Sequence, residues 1–280
     1  MRVISASKIT KIVADLSVQA NLVLRRDVFS ALKTTWAKET NKRAKEILGA
    51  IIQNASIARR EKLALCQDTG LPCVFVELGQ GVKVTGDLQS AINKGIELGY
   101  RKGFLRNSII KDPLLRGKSG YQPAVIHIDI IKGNRLKITV MPKGFGCENK
   151  TQLKMFKPTA PIEEIKKFII EAVKSAGPDA CPPYVVGVGI GGTADYACLL
   201  AKKALLRIIN TQYAIRNTHI RKLEQELLRE INRLNIGPMG LGGETTALAV
   251  NIKTYPTHIA GLPVCVNISC HALRSATKIL

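Results

Sequence analysis

The chain has 280 residues, and much of what would assign it at a glance is missing. No apolar run approaches the ~18 residues that a membrane-spanning helix needs. Lys8, Lys11 and Asp15 interrupt the apolar positions behind the N-terminus, so no secretory leader is expected. Aromatics are scarce at 5%, with one Trp, which leaves little to interleave with basic residues as a nucleobase-stacking surface. No tract of five basic residues, zinc-finger spacing, C-x-x-C pair, internal repeat or low-complexity linker occurs. Seven Cys, an odd number, are spread over two hundred residues of a long chain, which does not describe a disulfide scaffold and favours a reducing cytoplasm. Acidic residues are few, 21 against 42 Lys plus Arg, giving a formal charge of +21.

That charge favours anions without choosing among them. A nucleic acid, a small anionic substrate, an acidic partner subunit and a merely solvated basic surface all remain open. At 46% hydrophobic residues, a disordered basic tail is excluded and a sizeable core is available. Residues 7–24 carry Ile9, Ile12, Val13, Leu16, Ala20 and Val23 at helical spacing, with Ser7 as the expected cap. Further helices are expected at 28–38, 40–56, 88–100, 162–176, 193–209 and 219–234; the one at 162–176 is stopped by Gly177-Pro178. Strands are expected at 74–78, 81–85, 124–130, 135–141, 245–252 and 263–268, and residues 103–121 read as irregular. Interleaved helices and strands give a mixed α/β, or α+β, fold: a helical N-terminal part followed by mixed sheets with packed helices. One domain over 1–280, or two intimately joined lobes, is expected.

Gly187-Val-Gly-Ile-Gly-Gly192 matches G-x-G-x-x-G between a short apolar run and a helix. The acidic residue that binds a ribose ~20 residues further on is missing, since positions 205–218 contain no acid, so a Rossmann fold is not expected. The glycines could instead bring backbone N–H groups to a small carboxylate, or permit a tight turn with close helix–strand packing. Cys198, Cys73 and Cys265 read as small buried hydrophobes. Cys66, Cys181 and Cys270 sit among turn formers or polar groups, and thiolates from distant positions can bind a soft metal or an iron–sulfur cluster. Cys147 is a rival ligand. Asp68, two residues from Cys66, is a candidate acid–base group. Arg106 could clamp a carboxylate. His127 is expected on the polar face of a strand, and His258 lies in a turn-rich passage where a capping or core role is the ordinary alternative.

Longer motifs carry more. Cys66-Gln-Asp-Thr-Gly70, Gly99-Tyr100 through Leu105-Arg106 to Asp112-Pro113, Pro142-Lys-Gly-Phe-Gly146 with Glu148-Asn149, Cys181-Pro-Pro183, Gly240-Leu-Gly-Gly243, Tyr255-Pro-Thr-His-Ile-Ala-Gly-Leu-Pro263 and Cys270-His271-Ala272 occur in this order along almost the whole chain. In this the sequence resembles the alpha subunit of the two-subunit class I fumarate hydratase and L-tartrate dehydratase family of iron–sulfur hydro-lyases. The resemblance implies the family's alpha-type fold and one [4Fe–4S] cluster per alpha subunit on Cys66, Cys181 and Cys270, with one iron lacking a protein ligand. It implies Asp68 and His258 as catalytic groups, with Gln67, Arg106 and Gly146 at the substrate. It draws the glycine motifs at 144–146 and 187–192 into the pocket and displaces Cys147 as a ligand. The reaction it implies is reversible hydration of fumarate to (S)-malate, a tricarboxylic acid cycle step; dehydration of L(+)-tartrate is the alternative, and a basic nucleic-acid-binding protein the alternative from another class. It further implies a beta subunit, its domain absent from this chain, that supplies a catalytic Thr and carboxylate-binding Arg and Lys in an α2β2 assembly. Two departures stand out: Gly117-Lys-Ser-Gly-Tyr-Gln122 is shorter than the family's amide-rich segment, and Cys147 stands where a Ser is usual.

Overall fold

The computed structural model describes residues 1–209 and 218–280. In chain order its elements are β1 (Arg2–Ser5), α1 (Ala6–Leu22), α2 (Arg26–Lys38), α3 (Lys42–Glu61), β2 (Leu71–Gly79), β3 (Val82–Thr85), α4 (Leu88–Lys102), β4 (Ile109–Asp112) and β5 (Arg116–Gly120). There follow β6 (Val125–Ile131), β7 (Leu136–Lys143), α5 (Phe145–Glu148), β8 (Gln152–Phe156), α6 (Ile162–Ala176), β9 (Tyr184–Ile190), α7 (Ala194–Ala204), α8 (Thr218–Asn232), β10 (Ala247–Thr254), β11 (Leu262–Ser269) and β12 (Ala276–Ile279). The fold is mixed α+β, as the interleaved pattern predicts. The chain divides into two compact units: residues 1–25, 55–145 and 274–280, and residues 26–54 and 146–273.

The first unit is built on a four-stranded sheet in the order β12-β7-β2-β6. Strands β2 and β7 are antiparallel with Val74 opposite Val140, β6 is parallel to β2, and β12 closes the other edge antiparallel to β7. Helices α1 and α4 cover the sheet. Ile9, Val13 and Leu16 of α1 meet Ile92 and Ile96 of α4 and Val74, Val76, Ile138 and Val140 of the sheet in one apolar cluster. Ser5, not Ser7, caps α1: its hydroxyl accepts from the Lys8 N–H at 3.3 Å, and Ser7 meets only the Ser5 hydroxyl. Residues 109–120, expected to be irregular, pair as the β4–β5 hairpin. The shortened segment 117–122 therefore lies on β5 and just after it, where Gln122 donates to Glu97 and the Ala124 N–H to Asn93, both on α4. On β6, His127 lies on the expected face: it shares the sheet face of Phe75, Glu77 and Thr139, while Ile126 shares that of Val74 and packs against the apolar cluster. Ile128 and Ile130 are exposed, whereas His127 is half-buried and its ring stacks on Phe75 at 5.2 Å.

The second unit has a four-stranded sheet in the order β10-β9-β11-β8. Strands β9 and β10 run parallel, while β11 is antiparallel to both β9 and β8. Side chains alternate across the sheet. Val186, Val188, Val264 and Val266 face a cluster with Ile165, Ile169 and Val173 of α6 and Leu227 and Ile231 of α8. On the opposite face Cys265 packs with Ala197 and Ala201 of α7. Gly187 and Gly189 share that face, where a Cβ at Gly189 would lie 2.0 Å from the Ala197 carbonyl and one at Gly187 2.2 Å from that of Ala201.

An ion pair ties α7 to α5 within this unit. Lys202 Nζ lies 2.5 Å from Glu148, whose other oxygen accepts from Asn267 at 3.0 Å. Both partners are largely buried, so removing the cation strands a carboxylate. Lys202→Met is expected to lower stability by about 2–4 kcal/mol in chemical denaturation.

Candidate active site

The Cys66-Gln-Asp-Thr-Gly70 segment enters β2 as a turn in which Asp68, Thr69 and Gly70 are held by hydrogen bonds. The Asp68 carboxylate accepts from two backbone N–H groups: Gly70 at 2.9 Å through Oδ1 and Phe145 at 2.8 Å through Oδ2. Gly144 makes room for this arrangement, since a Cβ there would come within 3.1 Å of Asp68 Oδ2. The buried Tyr100 hydroxyl on α4 donates to the Thr69 and Gly70 carbonyls at 2.9 and 3.2 Å. Burial pushes this phenol well above its usual range, so it stays a donor. The Thr69 hydroxyl accepts from the Arg106 N–H at 3.1 Å and fixes the loop after α4 against the turn. Arg274 donates from Nη2 to the Asp68 carbonyl. Cys66 and Asp68 are left half-buried, while Gln67 and the Arg106 side chain are exposed. Four predicted residues, Cys66, Gln67, Asp68 and Arg106, thus belong to one part of the first unit, Arg106 tied to the turn through its backbone N–H and the Asp68 carboxylate fixed in direction.

The second unit holds the others. Cys181 has φ +56° and stands before Pro182-Pro183 at the entry to β9; Cys270 directly follows β11. The two are joined through His271, whose backbone N–H and ring Nδ1 lie 3.4 and 3.1 Å from the Cys181 carbonyl. Both thiols are half-buried and neither forms a disulfide. Gly146 is exposed on α5. His258 is exposed in the loop between β10 and β11, where Nδ1 accepts from the Ala260 N–H at 3.1 Å, which leaves Nε2 as its outward atom.

The glycine segment 187–192 does not present open N–H donors. Gly187 and Gly189 lie under α7, and the Gly191 and Gly192 N–H groups donate to the Pro263 and Pro256 carbonyls at 2.9 and 3.1 Å. Close helix–strand packing is what these glycines serve. Cys73, Cys147 and Cys265 are buried, as expected of small hydrophobes for the first and last. Burial, and then the neighbouring Cys198, raises the Cys265 thiol far above its ordinary range, which removes it as a thiolate donor. Among the described residues no three His, Cys, Asp or Glu side chains gather to hold a metal ion. The donor chemistry of Cys66, Cys181 and Cys270 nevertheless suits a thiolate-bound iron–sulfur cluster: all three are unbridged, half-buried and outside helices and strands.

Tyr100, Thr69 and Arg274 shape the turn although their contacts could not be read from local spacing. The chain segments on which these groups sit define a class of protein: the chain belongs to the fumarate hydratase (Fumerase) family, which it matches over residues 10–278. Individual relatives are similar along nearly their whole length. One, from Methanocaldococcus jannaschii, carries a provisional L(+)-tartrate dehydratase subunit alpha name and is 42% identical over 279 residues, covering 97% of each chain. The L(+)-tartrate dehydratase subunit alpha of Escherichia coli K12 is 31% identical over 280 residues, 99% of this chain and 92% of that protein. No helix among the described residues is long and apolar enough to cross a membrane.

Proposed function

We propose that the chain is the alpha subunit of a hydro-lyase that adds water to fumarate to give (S)-malate and reverses the reaction. The observation that carries this reading is the Asp68 carboxylate, clamped by two backbone N–H groups two residues from Cys66 in a family of hydratases. Cys66, Cys181 and Cys270 are the residues to hold a [4Fe–4S] cluster, which when bound supplies Lewis-acid activation of the substrate's oxygen. Asp68 takes the proton from the carbon next to a carboxylate in dehydration and returns it in hydration. The exposed Arg106 guanidinium and Gln67 amide bind a substrate carboxylate, where negative charge builds during the reaction. His258 Nε2 donates to a second substrate oxygen, and the Gly146 backbone lets the substrate approach closely.

A partner beta subunit, in keeping with the alpha-subunit names of the relatives, completes the site with a Thr and with Arg and Lys groups in an α2β2 assembly. L(+)-tartrate is the second reading, favoured by those same names. Both reactions eliminate water from a 2-hydroxy dicarboxylate, so the same groups serve either.

The test is anaerobic purification with the partner subunit, followed by iron and sulfide analysis and by rates with (S)-malate, fumarate and L(+)-tartrate. About four iron and four sulfide per alpha chain are expected, with malate turned over faster than tartrate. A preparation without a cluster would defeat the mechanism. A malate rate far below the tartrate rate would exchange the first reading for the second.

A further inference from the structure

Arg274 is only 4% exposed, and it spends its charge in an unusual way. Nη2 donates to the Asp68 carbonyl, 206 positions away in sequence. Nε and Nη1 are sealed from solvent and have no hydrogen-bond partner among the described residues. A guanidinium stays charged in proteins and accepts no hydrogen bonds. The Asp68 carboxylate does not bond it directly, since its oxygens accept from the Gly70 and Phe145 N–H groups. A buried cation without an acidic partner costs stability, and an apolar side chain of similar length would fill the same space without that cost. Packing therefore does not account for an arginine here. What arginine adds is a charge-assisted donor to one particular carbonyl.

That carbonyl belongs to the peptide linking Asp68 to Thr69. The next two, of Thr69 and Gly70, are held by Tyr100. Three successive carbonyls are thus fixed from outside the turn, and the first of them governs the residue whose side chain would exchange a proton.

We propose that Arg274 is a positioning residue for the hydro-lyase reaction: by holding the Asp68 carbonyl it sets the direction from which the Asp68 carboxylate meets the substrate. The inference rests on the reading of Asp68 as the acid–base group. It uses no contact between Arg274 and the substrate, so its loss should appear in kcat and not in KM.

The test uses the two-subunit enzyme carrying Arg274→Met or Arg274→Lys. For Arg274→Met a kcat lower by about 30- to 100-fold is expected, as for a small misplacement of a reacting group, with KM within about threefold of wild type. Thermal stability should change little, because the substitution removes unsatisfied buried donors as well as one hydrogen bond. Deuterium uptake over residues 66–71 should rise. Arg274→Lys keeps the charge and an N–H donor for the Asp68 carbonyl and should recover part of the lost kcat.

A folded Arg274→Met enzyme with wild-type kcat, or with raised KM and intact kcat, would overturn the proposal. So would a Lys variant no better than Met. If Arg274→Met does not fold, the Lys variant decides together with exchange: raised uptake over 66–71 with a kcat about three- to tenfold below wild type at unchanged KM supports the proposal, and raised uptake with wild-type kcat overturns it. An inactive wild-type enzyme would mean that the functional reading has failed, and exchange over 66–71 would still judge the hold on the turn, with unchanged uptake in Arg274→Met refuting it.

Discussion

Asp68→Asn is expected to lower kcat by about 10²- to 10⁴-fold, the range associated with loss of general acid–base catalysis. The two side chains have nearly the same shape, so iron and sulfide content should be unchanged, and this separates a proton-transfer defect from loss of the cofactor. A second effect follows from the hydrogen bonds. The carboxylate faces two N–H donors, from Gly70 and Phe145. An amide offers one acceptor and one donor, so one of those N–H groups loses its partner whichever way the amide turns. A stability loss of about 1–3 kcal/mol should accompany the kinetic defect. Steady-state rates, metal analysis and chemical denaturation on the same preparation check the three expectations together. Near-wild-type kcat would remove Asp68 from the chemistry.

The largest effect on stability is expected at Gly189. Its Cβ would stand 2.0 Å from the Ala197 carbonyl and 2.6 Å from the Ala201 N–H nitrogen, both in the backbone of α7. Neither atom can step aside as a flexible side chain would. Gly189→Ala must push the helix off the sheet, against a face where Ala197, Ala201 and Cys265 are fully buried. Overpacking of this kind costs about 3 kcal/mol or more. Gly261→Ala is the matched control: its Cβ would meet nothing closer than a Met155 methyl at 3.9 Å, and its effect should stay within about 0.5 kcal/mol. Denaturation midpoints for the pair check the argument, which fails if both substitutions are equally tolerated.

These two sites also mark how far the sequence could be read. Helix α6 was legible to the residue, Ile162–Ala176, because a strongly amphipathic run meets Gly177-Pro178. Strands β8 and β12 were not. Gln152–Phe156 and Ala276–Ile279 are edge strands, each with a lysine among exposed positions, and without a long apolar run their pairing comes only from the sheet beside them. The β4–β5 hairpin escaped for a related reason: Pro113, Gly117 and Gly120 are turn signals, and only the long-range context shows that short ladders flank them. His127 was legible as a polar-face residue, because alternation set it opposite to Ile126, which packs against the apolar cluster. At the candidate site the motif residues were legible in order, Cys66 to Asp68 above all. Their supports were not, because Tyr100 and Arg274 reach the turn from 31 and 206 positions away. The G-x-G-x-x-G pattern had the right residues for a phosphate loop, yet its glycines clear space for a helix.

The strand that closes the first sheet has a consequence for how the protein is made. Strand β12, from residues 276–279, pairs with β7, and the Leu136 and Leu280 backbones exchange hydrogen bonds at 3.1 and 2.8 Å. A ribosome delivers β2, β6 and β7 long before it delivers β12, and the whole second sheet emerges in between. The edge of the earlier sheet therefore stays unpaired, and the Arg274 donor out of place at Asp68, until β8 to β11 have been made. Vectorial synthesis thus leaves the hold on the Asp68 turn to a residue made only four positions after Cys270.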